Sequence, residues 1–139
     1  MSRFRGHVFV VDDDSSFLAA ICRLIRVGGF EATGVVRLSD LYAYLPFPEE
    51  SCVLADIILD GESGLEIPSV LFDRGEPAPV IFMSATDDVE TLVAADHAGS
   101  ARCLRKPFEA DELFHSLTAV LPEPGQATDP NAYANEDSR

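Results

Sequence analysis

Basic residues are scarce in this 139-residue chain, which has 10 Lys and Arg against 24 Asp and Glu and a net charge of −14. Nucleic acids and anionic membrane surfaces recruit Lys and Arg, so this balance argues against both as direct partners. No stretch approaches the roughly 18 apolar residues that a membrane-spanning helix needs. Residues 1–7 lack the apolar core of a signal peptide, so we expect a cytoplasmic protein.

Cysteine is also rare, and its spacing matches no metal or redox motif. Cys22, Cys52 and Cys103 are far apart in the sequence, and each lies inside an apolar segment. The chain has no CxxC pair, so we interpret all three residues as reduced thiols of the core. The 3 histidines are equally scattered, and we interpret them as surface or hydrogen-bonded residues rather than ligands.

The 47% of residues that are hydrophobic are enough for one domain with a buried core. Short continuous apolar runs, typical of strands buried in a parallel sheet, alternate with segments of helical periodicity. The predicted strands are 8–11, 30–36, 52–55, 79–83 and 103–104. Ser15 or Ser16 can cap the first helix, and Asp14 is interpreted as a cap or a solvent-facing residue. Ser39-Asp40 is expected to open the second helix, and Asp87 or Asp88 to cap the fourth.

Strand and helix alternate five times along the chain. This order predicts a doubly wound α/β fold, with a parallel five-stranded sheet covered by helices on both faces. From Pro122 onward the sequence has hardly an apolar residue. We therefore expect one domain over residues 1–121, followed by a polar, disordered tail over residues 122–139.

Charged or polar residues follow four of the predicted strands. Asp12 and Asp13 follow the first strand, Asp56 the third, Ser84 the fourth and Lys106 the fifth. Ligands of such sheets bind beyond the carboxyl ends of the strands, where side chains from neighbouring strands converge. A hard divalent cation would relieve the repulsion between clustered carboxylates, and an all-oxygen site suits Mg²⁺.

These residue types together could transfer a phosphoryl group. One carboxylate can attack phosphorus and become an acyl phosphate, while a metal and an ammonium share the charge of the oxygens. Asp56 is the best nucleophile candidate, because it stands alone at a strand end before a glycine-bearing loop. Ser84 and Lys106 would contact the phosphoryl group, and the small Ala85 would leave room for a donor. Taken alone, Asp12-Asp13 is as readily a helix cap, and a lone strand-end Asp is often structural.

The chain resembles the response-regulator receiver domain of two-component signalling over about residues 7–121. The resemblance rests on Val10-Val11-Asp12-Asp13, Leu54-Ala55-Asp56, Gly64-Leu65-Glu66, Val80-Ile81-Phe82-Met83-Ser84-Ala85 and Lys106-Pro107-Phe108. It implies a flavodoxin-like sheet of order 2-1-3-4-5, and an Asp56 that takes phosphate from a histidine kinase or a histidine phosphotransfer protein. The implied ligands of Mg²⁺ or Mn²⁺ are Asp12, Asp13, Asp56 and the backbone carbonyl of Ile58. The implied switch and phosphate-binding residues are Ser84, Ala85 and Lys106, with a cis peptide bond before Pro107.

Two positions depart from the usual pattern of that family. Cys103 stands where an aromatic residue usually turns inward after phosphorylation, and Asp60 replaces a proline. Ile58 and Thr86 would flank the path of the hydrolytic water. Because Ile58 cannot orient water, the resemblance predicts slow self-dephosphorylation.

The resemblance implies a stoichiometric phospho-acceptor, not a turnover enzyme, that signals to an unknown protein target. Since only 32 residues follow Pro107, the sequence suggests a stand-alone receiver. A homodimer through the last two helices and the last strand is one form of output. The alternatives are a fragment of a longer DNA-binding regulator and a pseudo-receiver that takes no phosphate. An aspartyl phosphatase normally needs a second Asp where Ile58 stands.

Overall fold

The computed structural model describes residues 5–85, 89–99 and 102–121. Thr86, the expected caps Asp87 and Asp88, and the expected tail 122–139 lie outside these ranges. Among the helices of the described ranges, none combines the length and the apolar character needed to cross a lipid bilayer.

The main sheet has five parallel strands, as predicted from the buried apolar runs. They are β1 His7–Val11, β2 Glu31–Val35, β3 Ser51–Asp56, β6 Val80–Ser84 and β7 Arg102–Arg105. Their order is β2-β1-β3-β6-β7, which is the order expected of a flavodoxin-like receiver. The glycine-bearing loop after β3 contains a two-stranded antiparallel hairpin, β4 Ile58–Leu59 and β5 Glu62–Ser63.

Helices connect these strands and lie on both faces of the sheet. They are α1 Ser15–Val27, α2 Leu38–Tyr42, α3 Ile67–Asp73, α4 Val89–His97 and α5 Ala110–Val120. A single 3₁₀ turn, Gly64–Glu66, leads into α3, and Pro68 occupies the first turn of α3, where its missing N–H costs nothing.

The structure selects one of the candidate caps of α1 and corrects the expected start of α2. Asp14, not Ser15 or Ser16, caps α1, because its carboxylate accepts the backbone N–H groups of Ser16 and Phe17 at 3.1 Å. The second helix begins at Leu38, one residue before the expected Ser39, and no side chain at its N-cap residue bonds to it.

Alternation along the strands divides the core into two layers. Val8 and Val10 of β1 face α1 and α5, whereas Phe9 and Val11 face the layer that contains α2 and α3. All four are at most 1% exposed. Strands covered on both faces explain why these runs are continuously apolar rather than alternating.

β2 lies at one edge of the sheet and pairs only with β1 among the described strands. The guanidinium of Arg26, on the last turn of α1, donates a hydrogen bond of 2.8 Å to the carbonyl oxygen of Ala32 in this strand. The side chain of a neighbouring helix therefore satisfies a backbone acceptor at the edge.

Candidate functional site

The carboxyl ends of four strands bring the polar residues singled out in the sequence to one edge of the sheet. Val11 of β1 pairs with Ala55 of β3. Asp12 and Asp56, the next residue after each of these, therefore lie side by side at the same edge of the sheet. Ser84 closes β6 and pairs with the residue before Lys106. The parallel register therefore sets Asp12, Asp56, Ser84 and Lys106 around one point.

Three carboxylates form a tight cluster there. One oxygen of each of Asp12, Asp13 and Asp56 lies within 4.8 Å of the others. Asp12 is only 1% exposed, whereas Asp56 is partly buried and Asp13 is exposed. Two full charges at this separation repel by about 3 kcal/mol at an effective dielectric near 20. The cluster therefore favours a compensating cation.

The ammonium of Lys106 bridges two of these carboxylates. Its Nζ lies 2.7 Å from Oδ2 of Asp12 and 2.9 Å from Oδ2 of Asp56. Burial opposes the charged form of this side chain, but the two hydrogen-bonded carboxylates favour it more, so the net pKa of Lys106 is raised. We conclude that Lys106 is an ammonium held at the rim beside the strand-end carboxylates.

Backbone N–H groups hold the second oxygen of each bridged carboxylate. Oδ1 of Asp12 accepts the N–H of Asp14 at 2.9 Å, and Oδ1 of Asp56 accepts the N–H of Ile58 at 3.1 Å. Each carboxylate is thus oriented from both sides, by the main chain and by the ammonium. Such preorganisation is what a nucleophile at a crowded charged centre requires.

Gly64 packs closely against the backbone at the end of β3. A Cβ at this position would lie 2.2 Å from the backbone oxygen of Asp56, and the N–H of Gly64 donates to Ile57 O at 2.8 Å. Only a residue without a side chain allows the chain leaving β5 to return so close to the end of β3.

The other residues named from the sequence surround this centre. Ser84 is 2% exposed, and its carbonyl oxygen accepts the backbone N–H of Lys106 at 2.7 Å. Ala85 is exposed, and the Lys106–Pro107 peptide bond is cis. Cys103 is partly buried beside the core layer of α2 and α3, and its burial raises the pKa of its thiol.

Two contributors were missed by the sequence interpretation. Phe17 fits the apolar periodicity of α1, and its ring centroid lies 4.2 Å from Nζ of Lys106. Glu62 lies in the hairpin after β3, and its Oε1 accepts the backbone N–H of Leu38 at the start of α2. Apolar periodicity says nothing about which ring faces a cation, and turn composition says nothing about which helix a loop carboxylate meets.

The donor set fits the metal that the fold family implies. Three carboxylates are hard oxygen ligands, and the exposure of Asp13 leaves one side open to water. Mg²⁺ prefers carboxylate oxygens and retains several waters, whereas thiolate and imidazole ligands would favour other metals. No histidine or cysteine belongs to this cluster of the described residues.

Known proteins are similar to this chain in sequence and fold. A family model described as the response regulator receiver domain matches residues 8–118. The transcriptional regulatory protein FixJ of Bradyrhizobium diazoefficiens is 29% identical over 95% of this chain and 64% of its own length. The response regulator protein TodT of Pseudomonas putida is 31% identical over 87% of this chain and 53% of its own length. The chain thus spans about half to two-thirds of the length of these relatives.

Solved structures agree with the family match. Full-length FixJ from B. japonicum superposes with a TM-score of 0.76 at 28% identity, over 84% of this chain and 58% of that one. A response regulator receiver protein from Burkholderia phymatum gives a TM-score of 0.71 at 34% identity, over 86% of this chain and 98% of that one. The match over residues 8–118 shows that this chain belongs to the response regulator receiver domain family.

Proposed function

We propose that this receiver accepts a phosphoryl group on Asp56 and signals through a protein partner. One observation carries the proposal: the Asp56 carboxylate is held between the N–H of Ile58 and the ammonium of Lys106, inside a cluster with Asp12 and Asp13. A structural strand-end aspartate would need neither the two further carboxylates nor the bridging cation.

The proposed donor is a phosphohistidine of a histidine kinase or a phosphotransfer protein. An oxygen of Asp56 attacks phosphorus as the P–N bond breaks, and the electron pair of that bond leaves on the imidazole nitrogen. Asp12, Asp13, Asp56 and the carbonyl of Ile58 would hold Mg²⁺, which supplies charge neutralisation when bound. The ammonium of Lys106, now 2.9 Å from Asp56, would pair with the transferred oxygens.

Ser84 and Ala85 complete the proposed site. Ser84 is buried at the end of β6, which pairs with β3, the strand that ends at Asp56. Its hydroxyl would donate to the phosphoryl oxygens. Ala85 is exposed and adds little bulk, so the donor could approach. With Cys103 in place of an aromatic residue, the signal would pass through movement of the Ser84 backbone, which bonds to Lys106.

Each protein molecule would take one phosphoryl group, so the chain would act as a stoichiometric acceptor rather than a turnover enzyme. Residues 1–121 would form the receiver and residues 122–139 a polar tail. The output would be a protein target or a second copy, bound through α4, β7 and α5. Leu92 and Val93 expose 39% and 47% of their surface on α4, which offers apolar area for such a contact.

Intact-mass measurement after incubation with Mg²⁺ and phosphoramidate tests this function. We expect a gain of one phosphoryl mass, which is lost with a chelator and in Asp56→Asn. Asp60→Asn is the matched control, because Asp60 is an exposed carboxylate four residues away that is not part of the cluster. No mass gain in the wild-type protein with several small donors would contradict the proposal and favour an interaction module that takes no phosphate.

A further inference from the structure

The ammonium of Lys106 has a third neighbour besides its two carboxylates. Its Nζ lies 4.2 Å from the centroid of the Phe17 ring, within the range of a cation–π contact. An ammonium has three N–H donors, of which Asp12 and Asp56 take two. The face of the Phe17 ring thus occupies a side of the cation that would otherwise meet solvent.

The Phe17 ring is itself held in place. Its backbone N–H donates to Asp14 at 3.1 Å, which fixes Phe17 in the first turn of α1. The ring of Phe108, two residues after Lys106, meets the Phe17 ring edge-on at 6.3 Å and 87°. The loop after β7 therefore contacts Phe17 twice, once with a cation and once with a ring.

We propose that Phe17 is a positioning residue that acts through Lys106 in the phosphorylation of Asp56. This inference rests on the proposed function. The ring attracts the ammonium without carrying charge, so it does not compete with a metal for the carboxylates. The contact requires the ammonium to lie over the ring face but does not fix which N–H bond points at the ring, so it can persist while the N–H bonds of Lys106 turn from the Asp56 oxygen toward the transferred phosphoryl oxygens.

Fluorinated phenylalanines at position 17 separate the electrostatic role from a merely structural one. Adding one, two and three fluorines weakens the negative potential of the ring face while leaving its shape nearly unchanged. We expect the rate of phosphorylation by phosphoramidate to fall in step with the number of fluorines. Phe17→Leu should be about 5- to 30-fold slower, and Phe17→Tyr close to wild type. A flat fluorine series would overturn the inference.

Phe30 offers a matched control. The guanidinium of Arg5 lies 4.7 Å from the centroid of the Phe30 ring, so this ring also makes a cation–π contact. Neither residue belongs to the cluster of three carboxylates. Fluorination of Phe30 should leave the phosphorylation rate unchanged. An equal loss of rate from both series would show a general effect on the fold and would overturn the inference.

Two further measurements test whether Phe17 acts through Lys106. In a Lys106→Met background, Phe17→Leu should slow phosphorylation no further, and an undiminished extra loss would contradict the inference. Without Mg²⁺ or donor, the Lys106 Cε protons should resonate upfield because of the ring, and should lose that shift in Phe17→Leu. If the wild-type protein gains phosphate but the fluorinated variants all react at its rate, only this inference is overturned. If the wild-type protein gains no phosphate, the proposed function is overturned as well.

Discussion

The carboxylate of Glu62 accepts a hydrogen bond of 3.1 Å from the backbone N–H of Leu38. Glu62 lies in the hairpin that follows Asp56, and Leu38 is the first residue of α2. Glu66, in the same loop, accepts the hydroxyl of Tyr42 at the other end of α2, at 3.0 Å. The segment between Asp56 and α3 therefore bonds to both ends of α2, a helix of only 5 residues.

Removing the first of these contacts should loosen α2. Glu62→Ala leaves the N–H of Leu38 without its acceptor and should destabilise the protein by about 1 kcal/mol, the usual cost of a lost cap. Glu62→Gln keeps an acceptor oxygen and should cost less. Urea unfolding gives the stability, and amide exchange at Leu38 locates the effect. Glu49→Ala, at an exposed site outside this network, is the control. Unchanged exchange at Leu38 in Glu62→Ala would contradict this prediction.

Gly64→Ala should damage both the fold and the acceptor. The new Cβ would lie 2.2 Å from the backbone oxygen of Asp56, so the main chain at Asp56 must shift. We expect a loss of about 1–3 kcal/mol, typical of overpacking, together with slower phosphorylation.

Gly61→Ala is the matched control for that substitution. Gly61 has a φ of +73°, but a Cβ added there would meet nothing within 4 Å, so alanine introduces strain in the backbone and no clash. It should cost about 1 kcal/mol and leave the phosphorylation rate near that of the wild type. Equal rates in the two variants would show that the close approach at Gly64 does not matter for the acceptor.

The phosphorylated protein should lose its phosphate slowly. The side chain of Ile58, two residues after Asp56, is 68% exposed and offers no hydrogen bond to a water molecule. Release of inorganic phosphate from the purified phosphoprotein measures the rate. Ile58→Asn supplies a polar side chain at the same place and should speed the release several-fold. A half-life of seconds for the wild-type protein would refute the prediction.

His7 should make stability depend on pH. Desolvation outweighs the attraction of Glu31, so the pKa of His7 is lowered in the folded protein from its ordinary 6.5. Below that ordinary pKa the unfolded chain binds a proton that the folded chain does not, so stability falls as the pH drops toward the lowered pKa. His7→Gln retains a hydrogen-bonding group toward Thr33, 2.7 Å away, and should flatten this part of the profile.

Urea unfolding at several pH values between about 7.5 and 5 measures that profile. The free energy of unfolding of the variant is subtracted from that of the wild type at each pH, so that the contribution of carboxylate titration cancels. His115→Gln, at an exposed position of α5, serves as the control substitution. An identical pH dependence in the wild-type protein and His7→Gln would contradict the prediction.

The fold and the positions of the main site residues followed from the sequence because a strong physical constraint links them. Continuous apolar runs predict buried parallel strands, and parallel strands end at a common edge. Asp12, Asp56 and Lys106 follow three such runs, and the structure brings them within hydrogen-bonding distance through one ammonium.

The contacts that refine the site could not be predicted in this way. The Phe17 ring and the Glu62 carboxylate depend on rotamers and on the path of loops, which leave no periodic pattern in the sequence. The choice among the candidate caps of α1 stayed open for a related reason. Asp14, Ser15 and Ser16 are all good caps, and only the point at which the chain leaves β1 selects Asp14.

The bond from Arg26 to Ala32 has a consequence for behaviour at high concentration. An outermost strand is a template onto which a further chain can add, and such growth is a common route to insoluble aggregates. The guanidinium of Arg26 already donates a hydrogen bond to the Ala32 carbonyl oxygen. It also places a bulky cation where an incoming strand would have to lie. We therefore expect Arg26 to oppose polymerisation of the receiver through this edge of its sheet.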